Sequence, residues 1–314
     1  MFCIRIASTV CALAALAAQS FAADAPKSAT FDVRHELKVM VPEGAKKVRL
    51  WFALPQDVPQ QKVSDLKIEA PAGHRVEKDS ESNATLYLDL NEPKEKEFTI
   101  VLTFRIQRQE VKGDLDASKA QPLTEKEKTD LAKYLQANTH VIIDDNIRKL
   151  AGEIVGGETN SLKAARKLYD WILQNIDYWV KDPANKKASP VGSSEYCLTN
   201  KTGNCTDFHS LWTALARAKG IPTRMVYGSF FKAELDGKDA DQSYHCWPEF
   251  YVSGLGWLAH DVAVADIFDA VTSHRAYRKR PMTAHEALRL LLGRERDHFD
   301  PAVLGALVQT VGLY

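Results

Sequence analysis

The chain has 314 residues, 45% of them hydrophobic, and its 41 lysines and arginines balance its 41 aspartates and glutamates. This balance argues against a nucleic-acid-binding protein, because such proteins usually carry a basic excess. A chain of this length has room for two domains, each with its own hydrophobic core.

The first 22 residues have the features of a secretory signal peptide. Arg5 gives a positive start, residues 6–18 form an apolar run too short to span a bilayer comfortably, and small residues at 20–22 suit cleavage. An uncleaved membrane anchor is the alternative. We therefore expect a protein of the periplasm or a secreted protein, without stable membrane insertion after cleavage of the signal peptide.

Residues 24–112 carry the alternating pattern of β-strands. Every second residue from Val48 to Leu54 is apolar, and the run that begins at Phe98 repeats this alternation. Turn residues separate the runs. Several short strands at this spacing predict an antiparallel β-sandwich domain.

Residues 113–140 are polar and form the predicted connection between two domains. Within them, Thr124 and Glu127 have the spacing of a capping box, which predicts a helix that continues through Leu135. Helical apolar spacing follows in residues 142–155 and 161–176.

The second domain, predicted at residues 141–261, combines helices with strands. Helical spacing after Cys205 stops at Gly220-Ile221-Pro222, and strands are predicted at 224–231, 247–252 and 256–262. This order, a helix followed by antiparallel strands, indicates the α+β class.

A long loop is predicted for residues 177–196, which contain Pro183, Pro190 and Gly192. Because this segment leads directly to Cys205, we expect it to form a wall of the substrate cleft.

Cys205, His245 and Asp261 are the candidate catalytic residues. The cysteine lies in the string GNCTDFHSLWTALARAKGIPTR, and the other two lie in YHCWPEFYVSGLGWLAHD. A thiol, an imidazole and a carboxylate can act as nucleophile, base and orienting group. A cysteine near a helix N-terminus experiences the positive end of the helix dipole, and a neighbouring imidazolium favours its thiolate further.

These two strings resemble the transglutaminase-like superfamily, over a segment from about residue 140 to Asp261. The resemblance implies a papain-like α+β domain in which the cysteine opens a helix and successive strands supply the histidine and the aspartate. It also implies cleavage of an amide bond in a protein, peptide or peptidoglycan-related substrate through a thioester of Cys205. Neither a metal nor an organic cofactor is expected. The N-terminal sandwich is similar to the β domain that often precedes exported members.

Two other functions stay open. The first is acyl transfer to an amine, which is chemically adjacent to hydrolysis. The second is a binding or scaffold role in which the Cys-His-Asp site is inactive. Labelling of Cys205 by an electrophile at neutral pH distinguishes an activated thiol from an inert one.

Residues near the triad leave further alternatives. Asp207 is most simply a charge in the first helical turn. His209 lies one turn after Cys205, where a satisfied helix histidine is more common than a catalytic one. A second oxyanion donor is not evident, and Trp171, Tyr178 and Trp179 are the upstream candidates.

Cysteine pairing is also open. Cys3 and Cys11 fall in the predicted signal peptide, so Cys197, Cys205 and Cys246 would remain in the mature protein. The proposed chemistry requires a free thiol at Cys205. A Cys197–Cys246 disulfide is then conceivable, and the alternative is two small buried thiols.

Residues 262–314 change in character. The strings VAVADIFDAVTSHRAYR, MTAHEAL and FDP resemble the C-terminal helices of HD-GYP cyclic-di-GMP phosphodiesterases. In that family the aspartate that matches Asp266 is a metal ligand, but the other ligand strings are missing, and one carboxylate does not hold a dimetal centre. We therefore predict a short helical tail, fused in place of the usual end of the domain. A metal-dependent phosphodiesterase that acts through the tail is the rival hypothesis.

Overall fold

The computed structural model describes residues 26–229, 237–238 and 244–263. The chain divides into two units, Met1–Glu110 and Val111–Tyr314. The predicted signal peptide lies outside the described residues, and so does the predicted tail apart from Val262 and Ala263. Within the described ranges, no helix is long and apolar enough to cross a membrane.

The first unit consists of antiparallel strands in two three-stranded sheets. The sheets have the strand orders β1-β6-β3 and β2-β5-β4, and a ring contact between β1 and β2 joins them. Alternate residues of the central strands, Leu86 and Leu88 in β5 and Ile100 and Leu102 in β6, are fully buried. The predicted antiparallel sandwich is confirmed. Its strands are β1 (Ser28–Met40), β2 (Lys47–Ala53), β3 (Gln61–Glu69), β4 (Arg75–Lys78), β5 (Ala84–Asn91) and β6 (Glu97–Gln109).

The second unit is of the α+β class, as predicted. Strands β9, β10 and β11 form an antiparallel sheet with β10 in the centre, and β7 and β8 form a short parallel pair. The helices are α1 (Glu125–Asp130), α2 (Asp145–Val155), α3 (Ser161–Asn175), α4 (Ser194–Asn200) and α5 (Cys205–Ala218). The strands are β7 (Asp177–Tyr178), β8 (Thr202–Gly203), β9 (Thr223–Ser229), β10 (Tyr244–Val252) and β11 (Gly256–Ala259).

Helix α5 is the central element of the second unit. It packs against α2, α3 and α4 on one side and against β9 and β10 on the other. Phe208, Leu211, Trp212 and Leu215 are fully buried in the core around it. Eleven of the fourteen residues of α5 are buried, and the polar residues Asp207 and His209 are among them. Its N-terminus, where Cys205 lies, is therefore held by the core of the unit.

Helix starts follow the local sequence signals. Thr124 and Glu127 form the predicted capping box of α1, and the side chain of Asn160 accepts the first free N–H groups of α3. The predicted helix after Thr124 is wrong in its second half, because α1 ends at Asp130 and a 3-10 turn, Ala132–Leu135, follows.

Residues 177–196 contain more regular structure than the predicted loop. They begin with strand β7 and a 3-10 turn, Trp179–Lys181, and their last residues already belong to α4. The side chain of Ser193 caps α4 by accepting from the N–H of Tyr196. Because proline and glycine are typical of loops, the sequence of this segment favoured a loop, and the cap at Ser193 was not recognised.

The last predicted strand is also shorter than expected. Strand β11 ends at Ala259, and Val262 and Ala263 are helical, so Asp261 follows the strand instead of lying inside it. At the other edge of the sheet, β9 covers the described part of the predicted strand at 224–231.

Candidate active site

Cys205 is the first residue of α5 and is 8% exposed. The Asn204 side chain accepts from the N–H of Asp207 at 3.2 Å, and Asp207 accepts from the N–H of Asn204 at 2.9 Å. This reciprocal capping box fixes the first turn, so the thiol lies at the positive end of the helix dipole. That position favours the thiolate.

Asp207 is an acidic residue in the first turn of α5, as expected, and it makes further contacts. The carboxylate is fully buried, and it also accepts from the N–H of Ser189 at 3.0 Å and from the N–H of Ser193 at 2.8 Å. Hydrogen bonds from N–H groups to a buried carboxylate are strong because the acceptor is charged. Asp207 therefore ties the segment before α4 to the start of α5.

Two glycines allow this close approach. A Cβ on Gly203 would lie 2.3 Å from Cβ of Asp207. Gly192 has φ +71°, and a Cβ there would lie 2.2 Å from Cγ2 of Thr206. The Ser210 hydroxyl donates to the Gly192 carbonyl at 2.9 Å and adds a second tie. The segment before α4 is thus held in direct contact with the nucleophile helix.

His245 and Asp261 meet Cys205 from the sheet side. His245 lies at the start of β10, opposite Gly228 of β9, and Asp261 follows β11. The imidazole Nε2 is hydrogen-bonded to Oδ2 of Asp261, and His245 is also hydrogen-bonded to Cys205. Because Asp261 engages Nε2, Nδ1 is the ring nitrogen left for the thiol. The structure thus brings the three predicted residues together, with His245 and Asp261 both buried.

The surroundings of the thiol and the imidazole stabilise an ion pair. A hydrogen bond from Cys246 lowers the pKa of Cys205. Burial opposes this effect, but the hydrogen bond and charge of His245 lower the pKa further, to about 4. Burial disfavours the imidazolium, but hydrogen bonds to Asp261 and Cys205 outweigh it and raise the pKa of His245 to about 10. Between these values the pair is a thiolate and an imidazolium, the reactive form of such a site.

Cysteine pairing is resolved for the described chain. Cys197, Cys205 and Cys246 are each free thiols and each buried, so the disulfide considered between Cys197 and Cys246 is not formed. Burial raises the pKa of Cys197 well above its usual value. The hydrogen bond to Cys205, together with burial, raises the pKa of Cys246. Both therefore behave as neutral thiols beside an activated one.

Tyr178 is the upstream aromatic residue that reaches the nucleophile. The β7–β8 pair places it opposite Gly203, and its hydroxyl accepts from the N–H of Cys205 at 3.3 Å. Burial raises the pKa of Tyr178, so the phenol stays neutral and keeps its proton. Sequence reasoning could not choose among Trp171, Tyr178 and Trp179, because strand pairing with Gly203 is not visible in the sequence.

His209 is a residue of the site that sequence reasoning undervalued. It is fully buried, and its Nε2 lies 3.2 Å from Oδ1 of Asp261, a contact that has hydrogen-bond distance without hydrogen-bond geometry. Its Nδ1 lies 3.5 Å from Sγ of Cys246. The spacing of four residues from Cys205, which puts both on one helix face, was the available signal.

Comparison with known proteins finds similarity over the segment that holds this site. Residues 148–262 match the model of the transglutaminase-like superfamily. An uncharacterized protein of Haemophilus influenzae is 28% identical over 249 residues, which cover 72% of this chain and 66% of that protein. The chain therefore spans about two thirds of the length of this relative.

Two further similarities concern the fold and a short segment. A candidate cysteine protease from Cytophaga hutchinsonii has a similar fold, with a TM-score of 0.59 and 21% identity over 76% of this chain and 79% of that chain. A cyclic di-GMP phosphodiesterase of Pseudomonas aeruginosa is 46% identical over 60 residues, which are 19% of this chain and 14% of that protein.

The first prediction concerns the thiolate. Because the pKa of Cys205 is lowered to about 4, the thiolate is present above that pH and is lost as the pH falls through it. Iodoacetamide should therefore label Cys205 rapidly at about pH 6, where an ordinary cysteine with a pKa of about 8.5 reacts slowly. Peptide mapping gives the rate at each cysteine, and the buried, neutral Cys197 and Cys246 are internal controls.

His245→Ala is the matching variant for this experiment. Loss of the imidazolium should move the labelling profile of Cys205 toward that of an ordinary thiol. A profile that is already unperturbed in the wild type would contradict the ion pair.

The second prediction concerns Gly203. Gly203→Ala should lower the free energy of unfolding by about 1–3 kcal/mol, because the new Cβ overlaps Asp207 in a packed site. Gly152→Ala in α2 is the control, since a Cβ there meets nothing within 4 Å, and it should stabilise by about 0.4–1 kcal/mol. Urea denaturation of both variants gives the comparison. Equal stability of the two would contradict the close packing at Gly203.

Proposed function

We propose that this protein is an exported cysteine hydrolase, because residues 148–262 match the model of the transglutaminase-like superfamily. It cleaves an amide bond in a protein, peptide or peptidoglycan-related substrate through a thioester of Cys205. The observation that carries the proposal is the contact of Cys205 and Asp261 with His245 at the start of a buried helix. Export is supported by the signal-like features of the first 22 residues.

Acylation begins with attack of the Cys205 thiolate on the carbonyl carbon of the amide. The carbonyl oxygen gains the negative charge of the tetrahedral intermediate. The imidazolium of His245 then gives its Nδ1 proton to the amide nitrogen, the C–N bond breaks, and the amine leaves. Asp261 keeps the proton of Nε2 in place and stabilises the imidazolium.

Two donors are available for the oxyanion. The N–H of Cys205 points at the Tyr178 hydroxyl in the substrate-free site. An entering carbonyl oxygen takes over this N–H and accepts a second hydrogen bond from the phenol proton. Both groups already lie at the nucleophile, so the hydrogen bond between them is exchanged for hydrogen bonds to the developing charge.

Deacylation returns the site to its starting state. Neutral His245 takes a proton from water, and the hydroxide attacks the thioester carbon. The C–S bond breaks, the product leaves as a carboxylic acid, and the thiolate–imidazolium pair forms again. An amine in place of water would give acyl transfer by the same steps.

The third prediction tests the nucleophile with p-nitrophenyl acetate, an activated ester that reports thioester formation. Cys205→Ala should abolish release of nitrophenolate, because the acyl acceptor is removed, while its circular dichroism and Tm stay near those of the wild type. Cys197→Ala is the matched control, since this buried thiol lies in α4 and outside the proposed chemistry, and it should keep the activity. Full activity of Cys205→Ala would contradict the role of Cys205 as the nucleophile.

The fate of the acyl group separates hydrolysis from transfer. Candidate proteins, peptides and muropeptides are incubated with the enzyme in ¹⁸O-labelled water that contains a dansylated amine. Hydrolysis puts one ¹⁸O atom into the new carboxylate, whereas transfer puts the amine there. Mass spectrometry against the Cys205→Ala variant identifies which products depend on the nucleophile. Amine-labelled products without ¹⁸O would replace hydrolysis by transfer.

The fourth prediction concerns Tyr178. Tyr178→Phe should lower kcat by about a hundredfold with little change in KM, because an oxyanion donor acts mainly in the transition state. Tyr251→Phe is the control, since its hydroxyl is also hydrogen-bonded, to Glu127 at 2.7 Å, without contact to the nucleophile. An unchanged kcat for Tyr178→Phe would exclude its hydroxyl as the donor.

A further inference from the structure

We propose that His209 is a positioning residue, which holds Oδ1 of Asp261 while His245 engages Oδ2. This inference rests on the proposed function, since it concerns the carboxylate that orients the catalytic imidazole. It assigns a role to a buried polar side chain that the Cys-His-Asp mechanism itself does not use.

Helix α5 sets the position of His209. Four residues separate it from Cys205, so both side chains lie on the same face of the helix. This face is directed at the end of β11, where Asp261 lies. Nε2 of His209 lies 3.2 Å from Oδ1 of Asp261, and both side chains are almost completely buried. One rigid helix thus fixes the nucleophile and a support of the carboxylate.

A buried carboxylate needs partners on both oxygens. Hydrogen bonding or a charge must replace the water that each oxygen loses on burial. Burial opposes the charged form of Asp261, and contacts with His209 and then His245 overcome it, so the pKa of Asp261 lies well below its usual value. Removal of His209 would take away this contact with Oδ1. The carboxylate could then rotate away from His245.

The second ring nitrogen of His209 is also engaged. Nδ1 lies 3.5 Å from Sγ of Cys246, whose raised pKa keeps it a neutral thiol. Nε2 is the nitrogen that faces Asp261. Cys246 and Asp261 therefore hold the ring from opposite sides.

Two other titratable groups near Asp261 are neutral. Tyr169 of α3 and His260 are both buried, and burial keeps each neutral by raising the pKa of Tyr169 and lowering that of His260. The ring of His260 packs on Trp212 with the centroids 4.0 Å apart. The ring centroid of His209 lies 6.0 Å from that of His245, so the two imidazoles share the carboxylate of Asp261.

The test compares two substitutions of nearly equal size. His209→Gln keeps an amide N–H near the position of Nε2, whereas His209→Met fills the space without a donor. Iodoacetamide labelling of Cys205 at about pH 6 is the readout. We expect labelling of His209→Met to fall about 10- to 100-fold, as for the loss of a partner of a buried charge, and His209→Gln to stay within about threefold of the wild type.

A double-mutant cycle separates positioning from a general loss of structure. In the Asp261→Asn background, His209→Met should cause little further loss of labelling, because the carboxylate that it supports is already gone. A purely structural role would lower the Tm of both His209 variants in parallel and leave the pH profile of Cys205 in the folded protein unchanged. That result would overturn the inference. If His209→Met does not fold, His209→Asn, which keeps an amide only near Nδ1, replaces it with the same expectation.

Failure of the inference and failure of the proposed function look different. A wild-type Cys205 that labels like an ordinary thiol overturns both. A wild-type profile that is shifted to low pH and depends on His245, but not on His209, leaves the cysteine hydrolase in place and removes only the role of His209.

Discussion

Burial of the Asp261 carboxylate is the constraint on which the site depends. An isolated carboxylate in a protein core is strongly disfavoured, and partners on its oxygens are what keep it charged there. His245 engages Oδ2 and His209 lies at Oδ1, so the charge of Asp261 is retained and its orientation is limited. A hydrogen bond to that carboxylate and its charge raise the pKa of His245 against the effect of burial. A hydrogen bond from Cys246 and then the imidazolium lower the pKa of Cys205. Asp261 thus contributes to the charge of the thiol through His245.

A second buried carboxylate, Asp207, gives the site its geometry. It accepts N–H groups from Ser189, Ser193 and Asn204, so the segment before α4 and the start of α5 converge on one side chain. Gly203 lacks the Cβ that would overlap Asp207. Asp207 thus fixes the position of Cys205, whereas Asp261 influences the charge of Cys205 through His245.

Local patterns were sufficient for most elements. The alternation from Val48 to Leu54 predicted β2, the capping box at Thr124 predicted the start of α1, and apolar spacing after Cys205 predicted α5. Each of these signals depends on residues a few positions apart. The errors concern where elements begin and end: the start of α4, the early end of β11 and the 3-10 turn after α1. The roles of Asp207 and His209 were missed because each faces residues from another element.

The sequence by itself determined the two-unit order of strands and helices, the α+β class of the second unit, and Cys205, His245 and Asp261 as the residues to bring together. Such features are encoded in periodicity, caps and short strings, which are local. Only the tertiary structure decided that Tyr178 meets the N–H of Cys205, that Cys197 and Cys246 stay unpaired, and that His209 shares Asp261 with His245. These contacts join separate segments of the chain, so they form only when the core around α5 packs.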